Sequence, residues 1–203
     1  MNGKCIVIVL DGLGVGELPD AGQYNDSGAN TIRNISAVKN LNISNLLSLG
    51  FGNISIPNSV IPLNDVVGSY GKMAEKSPGK DSTTGHWELA GLILESPFPV
   101  FHHFPDEIIN LFIELTGVKG IIGNFPASGT EIINRFGDEH FLTGNPIIYT
   151  SADSVFQIAA SEEVFGLENL YKACEISRER ILTGKYAVAR VIARPFIDRK
   201  SVV

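Results

Sequence analysis

An α/β fold is predicted, on three observations. Residues 4–10, KCIVIVL, are a continuous aliphatic run of the kind buried on both faces of a parallel sheet. Asp11 follows at once, then Gly12, Gly14 and Gly16, so a carboxylate stands at the carboxyl end of that strand, where open α/β sheets bind ligands. Further along, short apolar runs alternate with amphipathic segments, which suggests a second, smaller α/β unit.

The elements follow in order. Residues 30–39 and 43–49 read as helices, the second ending at Gly50 as a cap. Residues 66–74 read as a strand, and a helix covers about 84–92. Residues 95–103, ESPFPVFHH, contain two prolines and the adjacent His102 and His103, and read as a linker with both histidines in solvent. Residues 105–116 form an amphipathic helix with proline at its start, acids in its first turn and Gly117 behind it. A short strand at 119–122, short helices at 129–136 and 138–142, a strand at 147–150, the longest helix at 167–182 and a strand at 186–193 complete the pattern.

Composition limits the function. The chain has 203 residues, is 44% hydrophobic and carries a net charge of −6. The core can be sizeable, while the charge argues against nucleic-acid and anionic-membrane partners. A phosphorylated small substrate stays open, since local cations and metals decide that. No apolar run approaches a membrane span, and residues 5–10 lack signal-peptide features, so a cytoplasmic location is expected. Cys5 and Cys174 make no disulfide framework, and Cys5 reads as core packing.

The densest chemistry lies in GKDSTTGHWELAG, residues 79–91. Asp81 or Ser82 would cap the following helix, which is all an ordinary Asp-Ser pair does. A second role is available: a Ser82 hydroxyl at a helix N-terminus lies where free N–H groups and the dipole favour phosphate. Serine needs a base or metal for activation, and Asp11 could supply a metal ligand, so metal-assisted phosphoryl transfer is one reading. The glycines at 12, 14 and 16 do not make a dinucleotide fingerprint, because the third glycine of G-x-G-x-x-G would fall at Glu17. The run YTSADS, residues 149–154, is either a polar turn or a site that hydrogen-bonds a sugar. Arg190 and Arg194 alternate on one face of the last strand, either solvated or clamping a phosphate. His86 either touches a substrate or orients a ligand.

Taken together, these segments resemble the phosphopentomutase family of the alkaline-phosphatase-like superfamily. The matching stretches are VLDGLGVGELPDA (9–21), GKDSTTGHWE (79–88), GNFPASGTEI (123–132), YTSADSV (149–155) and RVIARPF (190–196). They stand in family order and reach to about Ile197. The GKD[ST]x[ST]GHWE block separates this family from the related phosphoglycerate mutases.

The resemblance implies an alkaline-phosphatase-like core with an inserted α/β cap, in a chain about half the family length. Residues 1–96 would be the N-terminal part of the core, 97–197 an incomplete cap, and 198–203 a non-native tail. That tail leaves the family pattern abruptly and matches the translation of a common sequencing-adapter sequence. By resemblance Ser82 is the phosphorylated nucleophile, a position that many members fill with threonine, and Asp11 with Ser82 are metal ligands. Ser151, Asp153, Val155, Arg190 and Ile192 match positions that face the ribose phosphate. The implied reaction interconverts the 1- and 5-phosphates of ribose or deoxyribose through a phosphoserine enzyme and a bisphosphate. The implied cofactors are two manganese ions per intact site, with glucose 1,6-bisphosphate as activator. Small pentose phosphates would be the partners, with no nucleic acid, membrane or obligate protein partner. The remaining metal ligands belong to the missing half, so the 203 residues are expected to be inactive alone. A phosphatase or phosphoglycerate mutase of the same superfamily, or a non-catalytic module that binds a sugar phosphate, are the competing readings.

Overall fold

The computed structural model describes residues 3–54, 62–198 and 201–202. The chain is mixed α/β and divides into two compact units, Met1–Glu75 and Lys76–Val203. Residues 97–197, read as a cap, lie in the second unit together with 76–96.

The first unit holds little regular structure. Helix α1, Thr31–Val38, starts where the Asn30 side chain accepts the Arg33 N–H at 3.0 Å. Helix α2 spans Ser44–Ser48. Gly50 follows in the left-handed region at φ 101°, and the Tyr70 ring occupies the space a side chain there would need. Both predicted helices are present.

The two strands predicted for this unit are not. Residues 4–10 have irregular backbone, and Ile6, Val7 and Ile8 are 83%, 78% and 80% exposed. A run of this kind becomes a strand only when neighbours take up its N–H and C=O groups and cover its faces. Among the described residues nothing pairs with it. Cys5, read as core packing, is exposed for the same reason. Residues 66–74 are also irregular, with Val67 and Met73 in solvent. They are tethered instead by the Val67 N–H donating to Ser48 O at 2.8 Å.

The second unit is a three-layer α/β structure. Its sheet has strands β1 (Ile122–Pro126), β2 (Ile147–Thr150), β3 (Val155–Ser161) and β4 (Arg190–Asp198), with a two-residue β5 (Ser201–Val202) at the edge. The strands lie in chain order: β1 and β2 are parallel, β2 and β3 antiparallel, β3 and β4 parallel, β4 and β5 antiparallel. Residues 199, 200 and 203 of the expected tail lie outside the described residues.

Alternation along the strands divides the core. One face sends Ile148, Phe156, Ile158 and Ala160 against helix α4 (Asp106–Thr116) and helix α6 (Leu167–Ile176). The other sends Ile147, Tyr149, Ala159 and Phe196 against Ile132 and Ile133 of helix α5 (Gly129–Thr143). Helix α4 begins after Pro105, carries Asp106 and Glu107 in its first turn and ends on left-handed Gly117, as its sequence signals dictate.

Other boundaries moved. The two short helices at 129–136 and 138–142 are one helix of 15 residues, α5, and it rather than the segment at 167–182 is the longest α-helix. Gly137, read as a break, is buried within α5; its intrinsic cost of about 1 kcal/mol is outweighed by burial of Ile132, Ile133 and His140 on the same helix. The 167–182 segment is α-helical only to Ile176, then continues as one π-helical turn, Ser177–Ile181. The strand placed at 119–122 begins at Ile122, where the chain first meets Ile147 in register. The strand placed at 186–193 begins at Arg190 and runs through Pro195, on the side that borders only β5. β3 was missed: VFQIAAS is buried at every position but is too short and too continuous for either period to show. His102 and His103 are exposed, as expected. Among the described residues no helix is long and apolar enough to cross a membrane.

Candidate functional site

Helix α3, Ser82–Leu89, begins two residues earlier than its sequence suggests. Asp81 is the cap: its Oδ1 accepts the Thr84 N–H at 2.9 Å and its Oδ2 the Thr84 hydroxyl at 2.5 Å. That settles the choice between Asp81 and Ser82 and leaves Ser82 as the exposed first residue of the helix. Thr84 is fully buried, so the cap is packed as well as hydrogen-bonded. His86 reaches back one turn, its Nδ1–H donating to the Ser82 carbonyl at 2.6 Å, which fixes the tautomer.

Glu88, which sequence reasoning passed over, closes the other end of this helix. Its carboxylate accepts the Lys76 and Ser77 N–H groups at 2.7 Å each and the Ser77 hydroxyl. The hydrogen bonds from the Ser77 hydroxyl, then the Lys76 N–H and the Ser77 N–H, hold the carboxyl below its ordinary value. Ser77 Oγ in turn accepts the Leu94 N–H at 3.0 Å. The loop before Ser82 and the segment after the helix are thus tied to one carboxylate. The signal for it was present in the sequence as the acid closing the GHWE motif.

Ser151, Asp153, Val155, Arg190 and Ile192 lie at one end of the sheet in the second unit. The turn 151–154 joins β2 to β3, and Val155 stands opposite Arg190 in register, with Ile192 opposite Gln157. Asp153 and Arg190 form an ion pair at 3.1 Å. Their side chains are 38% and 42% exposed, so the pair orients more than it stabilises, on the order of 0–1 kcal/mol. Among the described residues the buried Arg190 Nε has no hydrogen-bond partner.

Ser154, the last residue of the hydroxyl-rich run YTSADS, fixes this end. It is almost wholly buried; its hydroxyl donates to Pro99 O and accepts the Ala189 N–H at 3.1 Å, and its carbonyl accepts the Arg190 N–H at 3.2 Å. One serine therefore holds the segment at 99, the turn and the start of β4 together. Further along the same face, Arg194 Nε–H donates to the Tyr149 hydroxyl, and its Nη2 to Gln157 Oε1 at 3.5 Å. Burial pushes the Tyr149 phenol above its ordinary value, against the opposing pull of Arg194.

Asp11 is exposed and lies in the first unit; Ser82 lies in the second. Among the described residues no group of three or more His, Cys, Asp or Glu is placed to hold a metal ion.

No protein-family model matches the chain. Curated relatives do. The chain is 59% identical over 198 residues to a phosphopentomutase of Acetivibrio thermocellus, covering 96% of this chain and 50% of that protein. It is 57% identical over 195 residues to a phosphopentomutase of Caldanaerobacter subterraneus subsp. tengcongensis, at 96% and 49% coverage. It is 58% identical over 195 residues to one from Dictyoglomus turgidum, at 95% and 49%. The chain spans about half the length of the curated relatives it matches. Across that span it is a homologue of phosphopentomutases.

Proposed function

We propose that this homologue of phosphopentomutases belongs to an enzyme that interconverts ribose or deoxyribose 1-phosphate and 5-phosphate through a phosphoserine and a pentose bisphosphate. The observation that carries the reading is identity of 57–59% over nearly the whole chain to proteins of that name. In this reading residues 1–96 are part of an alkaline-phosphatase-like core and 97–197 a cap.

Ser82 is the phosphoryl acceptor of the proposal. It is exposed, stands at the first position of an eight-residue helix, and is held there by the Asp81 cap and the His86 hydrogen bond. Phosphate on its Oγ meets the positive end of the helix dipole and first-turn N–H groups. Glucose 1,6-bisphosphate loads it: the Oγ–P bond forms as a sugar O–P bond breaks. The phosphoryl group then leaves Oγ for the free position of the pentose phosphate. The resulting bisphosphate returns its other phosphoryl group to Ser82. Ser151, Asp153, Val155, Arg190 and Ile192 contact the pentose phosphate, with Arg190 aimed by Asp153.

Manganese, two ions per complete site, supplies charge stabilisation for the transferring group in this family's chemistry. Asp11 and Ser82 are hard oxygen donors suited to it. The described residues gather no metal-holding cluster, so the proposal requires ligands beyond them. The 203 residues by themselves are proposed to be inactive. The protein is proposed to be cytoplasmic, acting on small pentose phosphates without nucleic acid, membrane or obligate protein partner.

Two measurements test this. The purified chain, given manganese, glucose 1,6-bisphosphate and ribose 5-phosphate, should form no ribose 1-phosphate. A version extended to the length of its relatives should do so, with phosphate mapping to Ser82 and turnover abolished by Ser82→Ala. Phosphate on Thr83 or Thr84 instead would overturn the assignment.

A further inference from the structure

Arg194 is half-buried on the sheet face that carries Arg190 and Ile192, four and two residues before it on the same strand. Its guanidinium is gripped by neutral acceptors, the Tyr149 hydroxyl and the Gln157 carboxamide. These fix its direction but do not match its charge. Arg190 is matched by Asp153. Among the described residues no carboxylate pairs with Arg194. A partly desolvated cation without a counter-ion is costly. The uncompensated charge, the donors of the five-donor fork still open, and the unpartnered Nε of Arg190 on the same face all call for an anionic acceptor.

Helix α5 leaves room for this arrangement. A Cβ at Gly129 would come within 2.7 Å of Arg194 Cδ and Cζ, so the guanidinium lies in space that only glycine leaves open. The near atoms belong to a flexible side chain. Alanine at 129 would therefore displace Arg194 while leaving the helix intact.

We propose that Arg194 is a second phosphate-contacting residue of this face, held in position by Tyr149 and Gln157 and given its space by Gly129. The assignment rests on the reading of this face as a pentose-phosphate site. Arg190 and Arg194, flanking Ile192, would meet the sugar phosphate from two sides, with Arg194 supplying the charge that Arg190 shares with Asp153.

The test is calorimetric titration of the 203-residue chain and its Gly129→Ala and Arg194→Gln variants with ribose 5-phosphate, glucose 6-phosphate, inorganic phosphate and uncharged ribose. Circular dichroism melting checks the fold of each variant. Ribose 5-phosphate should bind the parent chain, and its affinity should fall at least about tenfold in both variants. Uncharged ribose should show no dependence on either position. Unchanged affinity in folded Gly129→Ala overturns the proposal, as does loss there without loss in folded Arg194→Gln, or no binding of any phosphate to the parent. If Arg194→Gln does not fold, Gly129→Ala decides alone. If all three phosphates bind equally and all weaken in the variants, Arg194 stands as a phosphate contact and the pentose reading falls.

Discussion

Asn124 holds the backbone of Phe104 by both of its polar groups. Its side-chain oxygen accepts the Phe104 N–H at 2.8 Å and its amide donates to the Phe104 carbonyl at 3.0 Å. Asn124 sits at φ 69°, at the bulge in β1 where the register shifts between Gly123 and Phe125. Asparagine tolerates that left-handed conformation, and no other side chain of its size both donates and accepts there. Phe104 is almost wholly buried between Phe101 and Phe156, so the two hydrogen bonds anchor the entry to α4 in the core. Asn124→Ala should lower stability by about 3 kcal/mol, from two unmade hydrogen bonds and the strain of alanine in that conformation. Asn124→Gly should lose only the hydrogen-bond part. Equal urea midpoints for alanine and the parent chain would refute the anchor.

His140 is buried, with Nδ1–H donating to Asn145 O at 2.6 Å and Nε2 accepting the Ser161 N–H at 2.9 Å. The rings of Phe141 and Phe196 stand edge-on to it. Burial lowers its pKa from the ordinary 6.5, outweighing the opposing hydrogen bond to Asn145. The unfolded chain therefore binds this proton more readily than the folded one. Stability from His140 is complete above pH 6.5 and is lost as the pH falls toward the depressed folded value. Denaturation midpoints of the parent should drop between about pH 7 and 5 more steeply than those of His140→Gln. An NMR titration of His140 with its midpoint above 6.5 would contradict the assignment.

The two cysteines should react at very different rates. Cys5 is exposed, whereas burial first and Glu175 second push the Cys174 thiol up to about 12. A thiol reagent at pH 8 should modify one cysteine of the native chain quickly and the second only after unfolding. Peptide mapping that found Cys174 labelled first would refute this.

Asp81→Ala should cost about 1 kcal/mol by removing the cap of α3, with faster hydrogen exchange at the Thr84 amide. Asp81→Asn should restore most of the loss, since its carboxamide oxygen still accepts that N–H. Equal exchange rates in all three proteins would show that α3 is held by packing alone.

The exposed run Ile6 to Leu10 should make the chain self-associate. Its high β-propensity and lack of charge over these positions suit edge-to-edge pairing. Val7→Lys combined with Val9→Lys should shift sedimentation toward monomer without lowering the melting temperature of the second unit. No change in sedimentation would place the association elsewhere.

How much of this was legible depends on the range of the forces involved. Pro105, the two acids after it and Gly117 fix α4 through contacts within a turn or two, and its bounds were read almost to the residue. The 147–150 strand was also read to the residue. The run at 4–10 carries an equally strong local pattern, yet a strand is completed by its neighbours, and no described residue pairs with it. β3 failed in the opposite way: its burial comes from β2, β4, α4, α5 and α6, none of which its own seven residues announce. At the site, residue types and motifs picked out Asp153 and Arg190, which the fold joins in an ion pair. Ser154 and Glu88 lay inside the quoted YTSADS and GHWE motifs, but their roles were not read, because most of their partners are backbone groups distant in the chain.

The order of strands also bears on how the sheet assembles. β2 and β3 are joined by only the four residues 151–154, whereas each parallel pair must wait for a helix to be laid between its strands. A hairpin closes in roughly 1–10 μs, while pairing across a crossover first meets the entropy of a longer loop. The turn that carries Ser151 and Asp153 is thus the natural nucleus, and the strand carrying Arg190 docks late. Substitutions in 151–154 should slow folding, and those in β4 should chiefly speed unfolding, a division that the two arms of a chevron plot would separate.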